Sequence, residues 1–325
     1  MKPILLHYYI TNRCNARCVF CSIWQEQPKV DAVLDDVIQN LRQARAAGCR
    51  FVDFTGGEPL LHPQLPDFLA QAKKFGFITS VTTNCLLFED RARELAGLVD
   101  LLHFSIDADN AELHDKIRGC ESYNHVIRSI DAALQNRLYP DLMYTYTDDN
   151  IDAVEGVRRL ARKHKLILIL DPVFALRGPD TVGPDTHRKA LAISRKSGVY
   201  LNRAHLLLRG RGGNHVRRPL CRAVSSTVVI MPDNTLALPC YHRRCVDIKI
   251  DGALKDALRS RERKAARALE GRYSFCESCH INCYFDPTYQ FTRGRFLFES
   301  MRGKLKYAVM KYLVYRRPLP VPKKK

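Results

Sequence analysis

The sequence lacks a long apolar run and has few acidic residues for its number of basic ones. No uninterrupted stretch of about eighteen apolar residues occurs, which excludes a predicted membrane-spanning helix. Only 34 Asp and Glu accompany 52 Lys and Arg, so the formal net charge is +18. We expect no secretory signal at the N-terminus. The 12 cysteines therefore indicate metal ligation in a reducing cytoplasm rather than disulfides.

Three cysteines near the N-terminus form the most informative motif. Cys14, Cys18 and Cys21 follow a C-x3-C-x2-C spacing, close enough for three thiolates to bind one compact metal centre from the same side. A structural zinc ion takes four protein ligands, whereas an iron–sulfur cubane bound by three cysteines leaves one iron open for a substrate or cofactor. A zinc knuckle with a distant fourth ligand is the alternative interpretation.

A second motif, Gly-Gly-Glu-Pro at residues 56–59, ends a strand-like apolar run. Together the two motifs resemble the radical S-adenosylmethionine (SAM) superfamily, and their combination disfavours the zinc knuckle. The resemblance implies a [4Fe-4S] cluster whose open iron chelates SAM. It also implies that the backbone of Gly56 and Gly57 and the side chain of Glu58 hold the methionine end, and that Phe20 lies near the adenine.

Apolar β-rich runs alternate with stretches of helical periodicity between residues 4 and 200. The alternation predicts an α/β fold of repeated β-α units around a parallel sheet. Six units fit the partial (β/α)6 TIM-like barrel that the resemblance implies, since an eight-unit barrel needs two more. The predicted strands are 4–10, 51–55, 78–82, 101–106, 142–147 and 167–170. The predicted helices are 35–47, 65–75, 89–96, 123–135, 151–164 and 185–196.

Polar segments end the third and fourth predicted strands, at the barrel edge where functional groups collect. One ends in Asn84, with Cys85 in place of the glycine usual in the family, and the other contains Ser105 and Asp107 and precedes a run that includes Arg118. The resemblance implies that these four polar residues contact the ribose, carboxylate or adenine of SAM. A helix cap or an internal hydrogen-bonded pair is the alternative for Ser105, Asp107 and Arg118.

Six cysteines after residue 215 indicate a second metal site. Residues 228–240 predict a hairpin whose second strand ends at a cysteine, and a helix and a C-x2-C-x3-C run follow. This order resembles the Twitch or SPASM-like extension of radical SAM enzymes and implies one auxiliary [4Fe-4S] cluster. A four-cysteine zinc ribbon is the alternative. The predicted ligands are Cys221, Cys240, Cys276 and Cys279, with Cys283 as a close competitor and Cys245 as a weaker one.

The C-terminal tail combines charge with helical periodicity. Residues 293–325 contain eleven basic side chains and one acidic one, and apolar residues recur between 296 and 313 at three- and four-residue steps. The pattern predicts a basic amphipathic helix suited to an anionic bilayer surface. Its alternative is a helix whose apolar stripe docks on the barrel. We expect a radical SAM barrel at 1–205, an auxiliary-cluster domain at 206–290 and this tail at 291–325.

The resemblance implies an enzyme that cleaves SAM reductively to a 5′-deoxyadenosyl radical, which abstracts hydrogen from an unactivated C–H bond. We expect a small or amphiphilic metabolite as substrate, such as a lipid, isoprenoid or pigment precursor. We also expect a flavodoxin- or ferredoxin-type reductant and a cytoplasmic location, peripheral on the membrane face. No catalytic residue is identifiable.

Two alternatives remain. One is modification of a ribosomal peptide precursor. The other is a non-enzymatic iron–sulfur or zinc protein that binds nucleic acid through the arginines of 203–222 and the tail. We do not expect nucleic acid as a partner, because neither basic patch interleaves stacking aromatics with its arginines.

Overall fold

The computed structural model describes residues 1–175 and 181–320. The strands are β1 (Leu5–Thr11), β2 (Phe51–Gly56), β3 (Ile78–Thr83), β4 (Leu101–Ser105), β5 (Asp141–Tyr146), β6 (Leu168–Pro172), β7 (Val199–Leu201), β8 (Thr227–Ile230), β9 (Thr235–Leu238) and β10 (Val246–Lys249). They form one sheet in the order β10-β9-β8-β1-β2-β3-β4-β5-β6-β7.

Helices connect the strands. They are α1 (Leu34–Ala47), α2 (Leu65–Lys74), α3 (Phe88–Leu95), α4 (Ala111–Arg118), α5 (Tyr123–Gln135), α6 (Val154–Lys163), α7 (Pro184–Ser194), α8 (Arg203–Arg209), α9 (Ala223–Ser226), α10 (Leu254–Ala257), α11 (Arg261–Ala268), α12 (Asn282–Tyr289) and α13 (Arg295–Ala308). The last helix continues as a π-helix at Val309–Val314.

Strands β1 to β7 are parallel, and the sheet does not close on itself. The predicted α/β fold, a partial TIM-like barrel, is therefore confirmed. Alternation along the strands gives the sheet two different faces. On β1, Leu6 and Tyr8 are fully buried in the apolar core, whereas His7 lies on the other face, directly beside Asp53 of β2. We call the face that carries His7 and Asp53 the inner face.

The predicted hairpin forms from β8 and β9, and Asn234 in its turn has a φ of 61°. Asparagine tolerates this left-handed conformation, which explains how the turn forms without a glycine. Strand β8 also pairs in parallel with β1, so the C-terminal extension continues the barrel sheet. The domain boundaries at 205 and 290 remain a prediction.

Helix α13 covers the free edge of the sheet at β7. Gly303 is buried there, and a Cβ at this position would lie 3.4 Å from Tyr200 Cε2 and 3.7 Å from the Leu201 oxygen, so the helix packs on the strand at ordinary contact distance. Further along, Lys311 Nζ lies 2.8 Å from Asp141 Oδ2, and both side chains are at least 95% buried. Covering an edge strand protects its unpaired backbone groups from pairing with another chain.

The predicted tail helix is therefore present from Arg295 to Val314, and much of its apolar stripe does not dock on the barrel. The large apolar side chains Phe298, Met301, Leu305 and Leu313 are between 53 and 70% exposed. None of the described helices has the length and apolar character needed to cross a bilayer. The terminal lysines at 323–325 lie outside the described residues.

Candidate metal and cofactor site

The loop that carries Cys14, Cys18 and Cys21 follows β1, and the end of β2 holds it in place. The amide of Gly57 donates to the carbonyl of Thr11 at 2.9 Å, and the amide of Glu58 donates to the carbonyl of Arg13 at 2.8 Å. A Cβ atom at Gly57 would lie 2.0 Å from the Arg13 oxygen. Only glycine permits this approach, so the second motif positions the first.

The C-terminal end of α4 holds the loop from the other side. The amides of Arg17 and Val19 donate to the carbonyls of Arg118 and Ile117, both at 3.0 Å. Gly119 follows with a φ of 63°, and a Cβ there would lie 2.6 Å from the Arg17 oxygen. The cysteine loop is thus fixed between two elements that are separate in sequence.

The three thiols lie close enough to influence one another. Burial raises the pKa of Cys14 to about 12, and the charges of Glu58, Cys18 and Cys21 raise it further. Arg118 offsets some of this charge, because its Nη1 lies 3.6 Å from Cys18 Sγ. The Cys14 thiol therefore stays protonated at neutral pH until a bound cation or cluster compensates the charge of its thiolate.

Neither the N-terminal cysteines nor the cysteines of the C-terminal extension converge on a single point. Among residues 1–175 and 181–320, no group of three or more His, Cys, Asp or Glu could hold a single metal ion. One zinc ion draws its sulfur ligands to about 2.3 Å from one centre. A cluster binds each cysteine through a different iron atom, which tolerates wider spacing.

Glu58 is 2% exposed, and both of its carboxylate oxygens accept hydrogen bonds from the protein. Oε1 accepts from the amide of Leu60 at 3.0 Å and the hydroxyl of Thr83 at 2.9 Å, and Oε2 accepts from the amide of Asn84 at 2.8 Å. Burial raises the pKa of Glu58, although these donors oppose the shift. Its side chain joins the ends of β2 and β3, and its contact with SAM remains a prediction.

Asp107 and Arg118 form the internal pair that the sequence left open as an alternative. Arg118 Nη2 lies 2.6 Å from Asp107 Oδ2, and the carboxyl group is fully buried. The amide of Thr145 also donates to Asp107, at 2.8 Å. Burial raises the pKa of Asp107, and Arg118 opposes the shift.

The guanidinium of Arg118 also lies 5.6 Å from the centre of the Phe20 ring and faces Cys18, as described above. Phe20, Arg118 and Cys18 are therefore neighbours. Nearby, Asn84 Nδ2 donates to Asn15 Oδ1 of the cysteine loop at 2.8 Å, and Ser105 is buried at the end of β4. The predicted SAM-binding residues thus lie in the cysteine loop, after β2, β3 and β4, and at the C-terminal end of α4.

A second group of thiols forms in the C-terminal extension. The charges of Cys279, Cys240 and Cys276 add to burial in raising the pKa of Cys221 far above its usual range. Burial likewise raises the pKa of Cys240 to about 12 and that of Cys276 to about 11, with Cys279 contributing to both. The charge of Cys245 also contributes to raising the pKa of Cys276. The four predicted auxiliary ligands are therefore neighbours.

Asn214 organises this second group and was missed in the sequence. It is 2% exposed, and its Oδ1 accepts from the amides of Leu220 and Cys221 at 3.0 and 3.2 Å. Its backbone amide donates to the carbonyl of Cys279 at 2.8 Å, and its Nδ2 donates to the carbonyl of Cys276 at 3.1 Å. Gly212 and Gly213 before it were the available turn signal.

Cys283 lies apart from those four cysteines. Burial raises the pKa of its thiol to about 12, and the charges of Asp171, Asp53 and Asp286 raise it further. The residue is nevertheless exposed to solvent, and its carbonyl oxygen lies 3.5 Å from His7 Nε2. Cys283 therefore lines accessible space along the inner face.

The inner face of the sheet is polar. His7 Nδ1 lies 3.1 Å from Asp53 Oδ2, and although burial opposes it, the His7 hydrogen bond lowers the pKa of Asp53. Across the face, Asn282 Nδ2 donates to Asp171 Oδ1 at 3.0 Å. Side-chain exposures of 21 and 30% for Asp53 and Asp171 leave both carboxylates accessible.

Tyr241 connects the two cysteine groups. It follows Cys240 in sequence, stacks on Tyr9 with ring centres 4.2 Å apart, and donates through its hydroxyl to Glu26 Oε1 at 2.8 Å. Burial raises its pKa, and the nearby charges include those of Glu26 and Cys21. The N-terminal loop and the extension therefore meet at this ring.

Residues 8–161 match the radical SAM superfamily. This stretch, just under half of the chain, is therefore a radical SAM domain, a kind of domain that uses a [4Fe-4S] cluster and SAM. Among curated relatives, the GTP 3′,8-cyclase of Clostridium acetobutylicum is 31% identical over 159 residues, or 46% of this chain and 49% of that protein. The probable GTP 3′,8-cyclase of Archaeoglobus fulgidus is 33% identical over 138 residues, or 42% and 46%. The chain spans about half the length of these relatives.

Solved structures share the fold over a larger part of the chain. Streptococcus suis SuiB bound to S-adenosylmethionine has a TM-score of 0.65 at 17% identity, covering 91% of this chain and 77% of SuiB. anSMEcpe with bound AdoMet has a TM-score of 0.62 at 15% identity, covering 98% and 96%. The fold likeness to anSMEcpe therefore extends through the C-terminal extension.

Proposed function

We propose that this protein is an enzyme that cleaves SAM reductively and abstracts hydrogen from an unactivated C–H bond of a small or amphiphilic metabolite. The observation that carries the proposal is the clamped cysteine loop. Three neighbouring thiols lie between the Gly57 and Gly119 contacts, and Arg118 and Phe20 lie beside them. The donor set suits a cluster with one open iron.

In this proposal Cys14, Cys18 and Cys21 hold the first cluster. When bound, the cluster supplies the electron that breaks SAM into methionine and a 5′-deoxyadenosyl radical, which takes a hydrogen atom from the substrate. The chain positions the reactants. Arg118 compensates negative charge at Cys18, Phe20 offers a ring to the adenine, and the buried pair with Asp107 keeps Arg118 in place.

The inner face supports a substrate that is polar where it reacts. His7, Asp53 and Asp171 offer hydrogen-bonding and negative groups, which favour an amine, amide or hydroxyl over a bare hydrocarbon chain. The same carboxylates repel a triphosphate, so the nucleotide named for the cyclase relatives is a poor fit. An amphiphile can place its polar part here.

For the auxiliary site we propose a second [4Fe-4S] cluster held by Cys221, Cys240, Cys276 and Cys279. The mutual influence of the four thiols and the Asn214 contacts support this set over one that includes Cys283. The extension is the part that carries it, at 206–290 in the predicted division. We also propose a flavodoxin- or ferredoxin-type reductant.

Iron content tests the first site. Anaerobically reconstituted protein is expected to hold about eight irons, and a variant with alanine at positions 14, 18 and 21 about four. The variant is expected to form no 5′-deoxyadenosine from SAM and dithionite. Cys120→Ala is the matched control, because Cys120 lies within electrostatic reach of Cys18 yet bonds to Ser122. A fully active triple variant contradicts the proposal. An inactive, iron-depleted Cys120→Ala variant would show that Cys120 is a fourth cysteine ligand, which contradicts a cluster with one open iron.

A second pair of variants tests the auxiliary ligand set. Cys279→Ala is expected to lower the iron content by up to about four, because it removes a ligand at the centre of the thiol group. Cys283→Ala is expected to keep the iron, since its thiol faces the inner-face carboxylates. Iron analysis and electron paramagnetic resonance of the reduced proteins measure both, and the reverse pattern of loss contradicts the assignment.

The structure of SuiB bound to its precursor peptide SuiA supports the peptide alternative at the level of a shared fold.

A nucleic-acid-binding function has less support. Of the arginines in 203–222, Arg203 is ion-paired with Glu299, and Arg209 is buried with its guanidinium bonded to the carbonyls of Pro172 and Val173. The patch available to phosphates is smaller than the sequence indicates.

We place the protein in the cytoplasm, peripheral on an anionic membrane surface.

A further inference from the structure

The tail presents an apolar stripe to solvent. Phe298, Met301, Leu305, Val309 and Leu313 follow one another at three- and four-residue steps, which place them on one helical face. Their exposed fractions are 62, 53, 66, 38 and 70%. Such a continuous row differs from the scattered single apolar residues found on most soluble surfaces.

The other face of the same helix is anchored. Gly303 and Ser300 are buried against the body, Tyr307 donates to Asp141 at 2.6 Å, and Lys306 bonds to backbone carbonyls beyond α7. The stripe is therefore held outward by fixed contacts on the inward side. No rearrangement of the tail is needed to expose it.

The charges beside the stripe all have one sign. Arg293, Arg295, Arg302 and Arg316 are exposed, and none of them makes an ion pair among residues 1–175 and 181–320. The only acidic residue of the helix, Glu299, forms an ion pair with Arg203. Free cations therefore flank the apolar row without a neighbouring anion.

We infer that this face of α13 and its π-helical continuation lies in the plane of an anionic phospholipid bilayer. The apolar side chains enter the boundary between headgroups and acyl chains, and the four arginines contact phosphate headgroups. The inference deepens the proposed membrane location but does not depend on SAM chemistry. The sheet edge at β7 then faces the bilayer, with the barrel above it.

Vesicle co-sedimentation of the full chain tests the inference. The probe is a vesicle of phosphatidylcholine with roughly a third phosphatidylglycerol, and a pure phosphatidylcholine vesicle is the comparison. Leu305→Glu combined with Leu313→Glu is expected to weaken partitioning at least about tenfold, because two leucines that would enter the bilayer become charged. Arg295→Ala combined with Arg302→Ala is expected to abolish the preference for the anionic vesicle.

Val33→Glu combined with Leu269→Glu is the matched control, because these residues are 60 and 47% exposed but lie outside the tail. This control is expected to bind vesicles as the parent does.

The alternative is that the stripe packs against a second copy of the chain, and light scattering measures whether the protein is a dimer. Unchanged vesicle binding by the stripe variant, or a parent dimer that the stripe variant converts to monomer, overturns the inference. Formation of 5′-deoxyadenosine in vesicle-free solution is expected to be unchanged, so failure here is distinct from failure of the proposed reaction.

Discussion

At the scale of single residues, buried polar groups hold the cysteine loop in place. His114 is fully buried in α4, the helix whose C-terminal carbonyls hold that loop, and its Nδ1 accepts the amide of Asp107 at 3.1 Å while its Nε2 lies 3.0 Å from the Ser122 hydroxyl. Burial, with a contribution from Arg118, lowers the pKa of His114 to about 3. The neutral ring is therefore part of the folded state.

This pKa predicts how stability depends on pH. The folded pKa lies below the unfolded value of about 6.5, so the contribution of His114 is complete above that value and declines as the pH falls toward 3. Between pH 7.5 and 5.0 the parent is expected to lose about 2 kcal/mol more unfolding free energy than His114→Asn. Urea unfolding measures the difference.

His215→Asn is the control for this experiment, because the His215 side chain is 62% exposed. It is expected to follow the parent at both pH values. If His114→Asn also follows the parent, the buried ring does not titrate as described.

Residue-level roles were only partly predictable. The three cysteines of the N-terminal motif and the three of the C-x2-C-x3-C run were found through local spacing, and Arg118 through its position after a polar strand end. Asn214 and Tyr241 act through contacts with residues 57 to 215 positions away, such as the 2.8 Å bonds from Asn214 to Gly271 and from Tyr241 to Glu26. No local pattern encodes such contacts.

At the scale of elements, two glycine contacts connect the cysteine loop to the sheet. Gly57→Ala is expected to displace the loop, because its Cβ would lie 2.0 Å from the Arg13 oxygen and would break the Glu58 to Arg13 hydrogen bond. The expected result is loss of about four irons and of SAM cleavage. Iron analysis and thermal unfolding measure the outcome.

Gly210→Ala is the matched substitution, because the nearest atom to its Cβ is a backbone oxygen at 3.4 Å and its φ is −62°. It is expected to keep iron and activity. Parent-like iron content in Gly57→Ala would show that the close approach is dispensable.

Element prediction succeeded where periodicity was long and failed where it was short. The six predicted barrel strands and helices match the observed ones within about two residues at most ends, because burial alternates along the strands and recurs at three- and four-residue steps along the helices. Strand β7 has three residues, too few for a pattern. Strand β10 is largely exposed and pairs only through its backbone, so its sequence carries no burial signal.

At the scale of the whole molecule, one sheet carries both cysteine groups. The loop with Cys14 follows β1, and β8, which pairs with β1, begins the hairpin that ends at Cys240. The Tyr241 contact with Glu26 joins them a second time. Backbone pairing therefore fixes the position of one cysteine group relative to the other, as the proposed second cluster would require for electron transfer or substrate ligation.

The buried attachment of the tail affects how shortened versions of the protein behave. Cutting before Arg295 would remove the partner of Asp141 and leave the hydrogen-bonding edge of β7 bare. Truncated molecules prepared for crystallography would then pair edge to edge through β7. Oligomers of such molecules would be a result of the truncation and would not represent the oligomeric state of the full chain. Outward-facing side chains can be exchanged without opening the sheet.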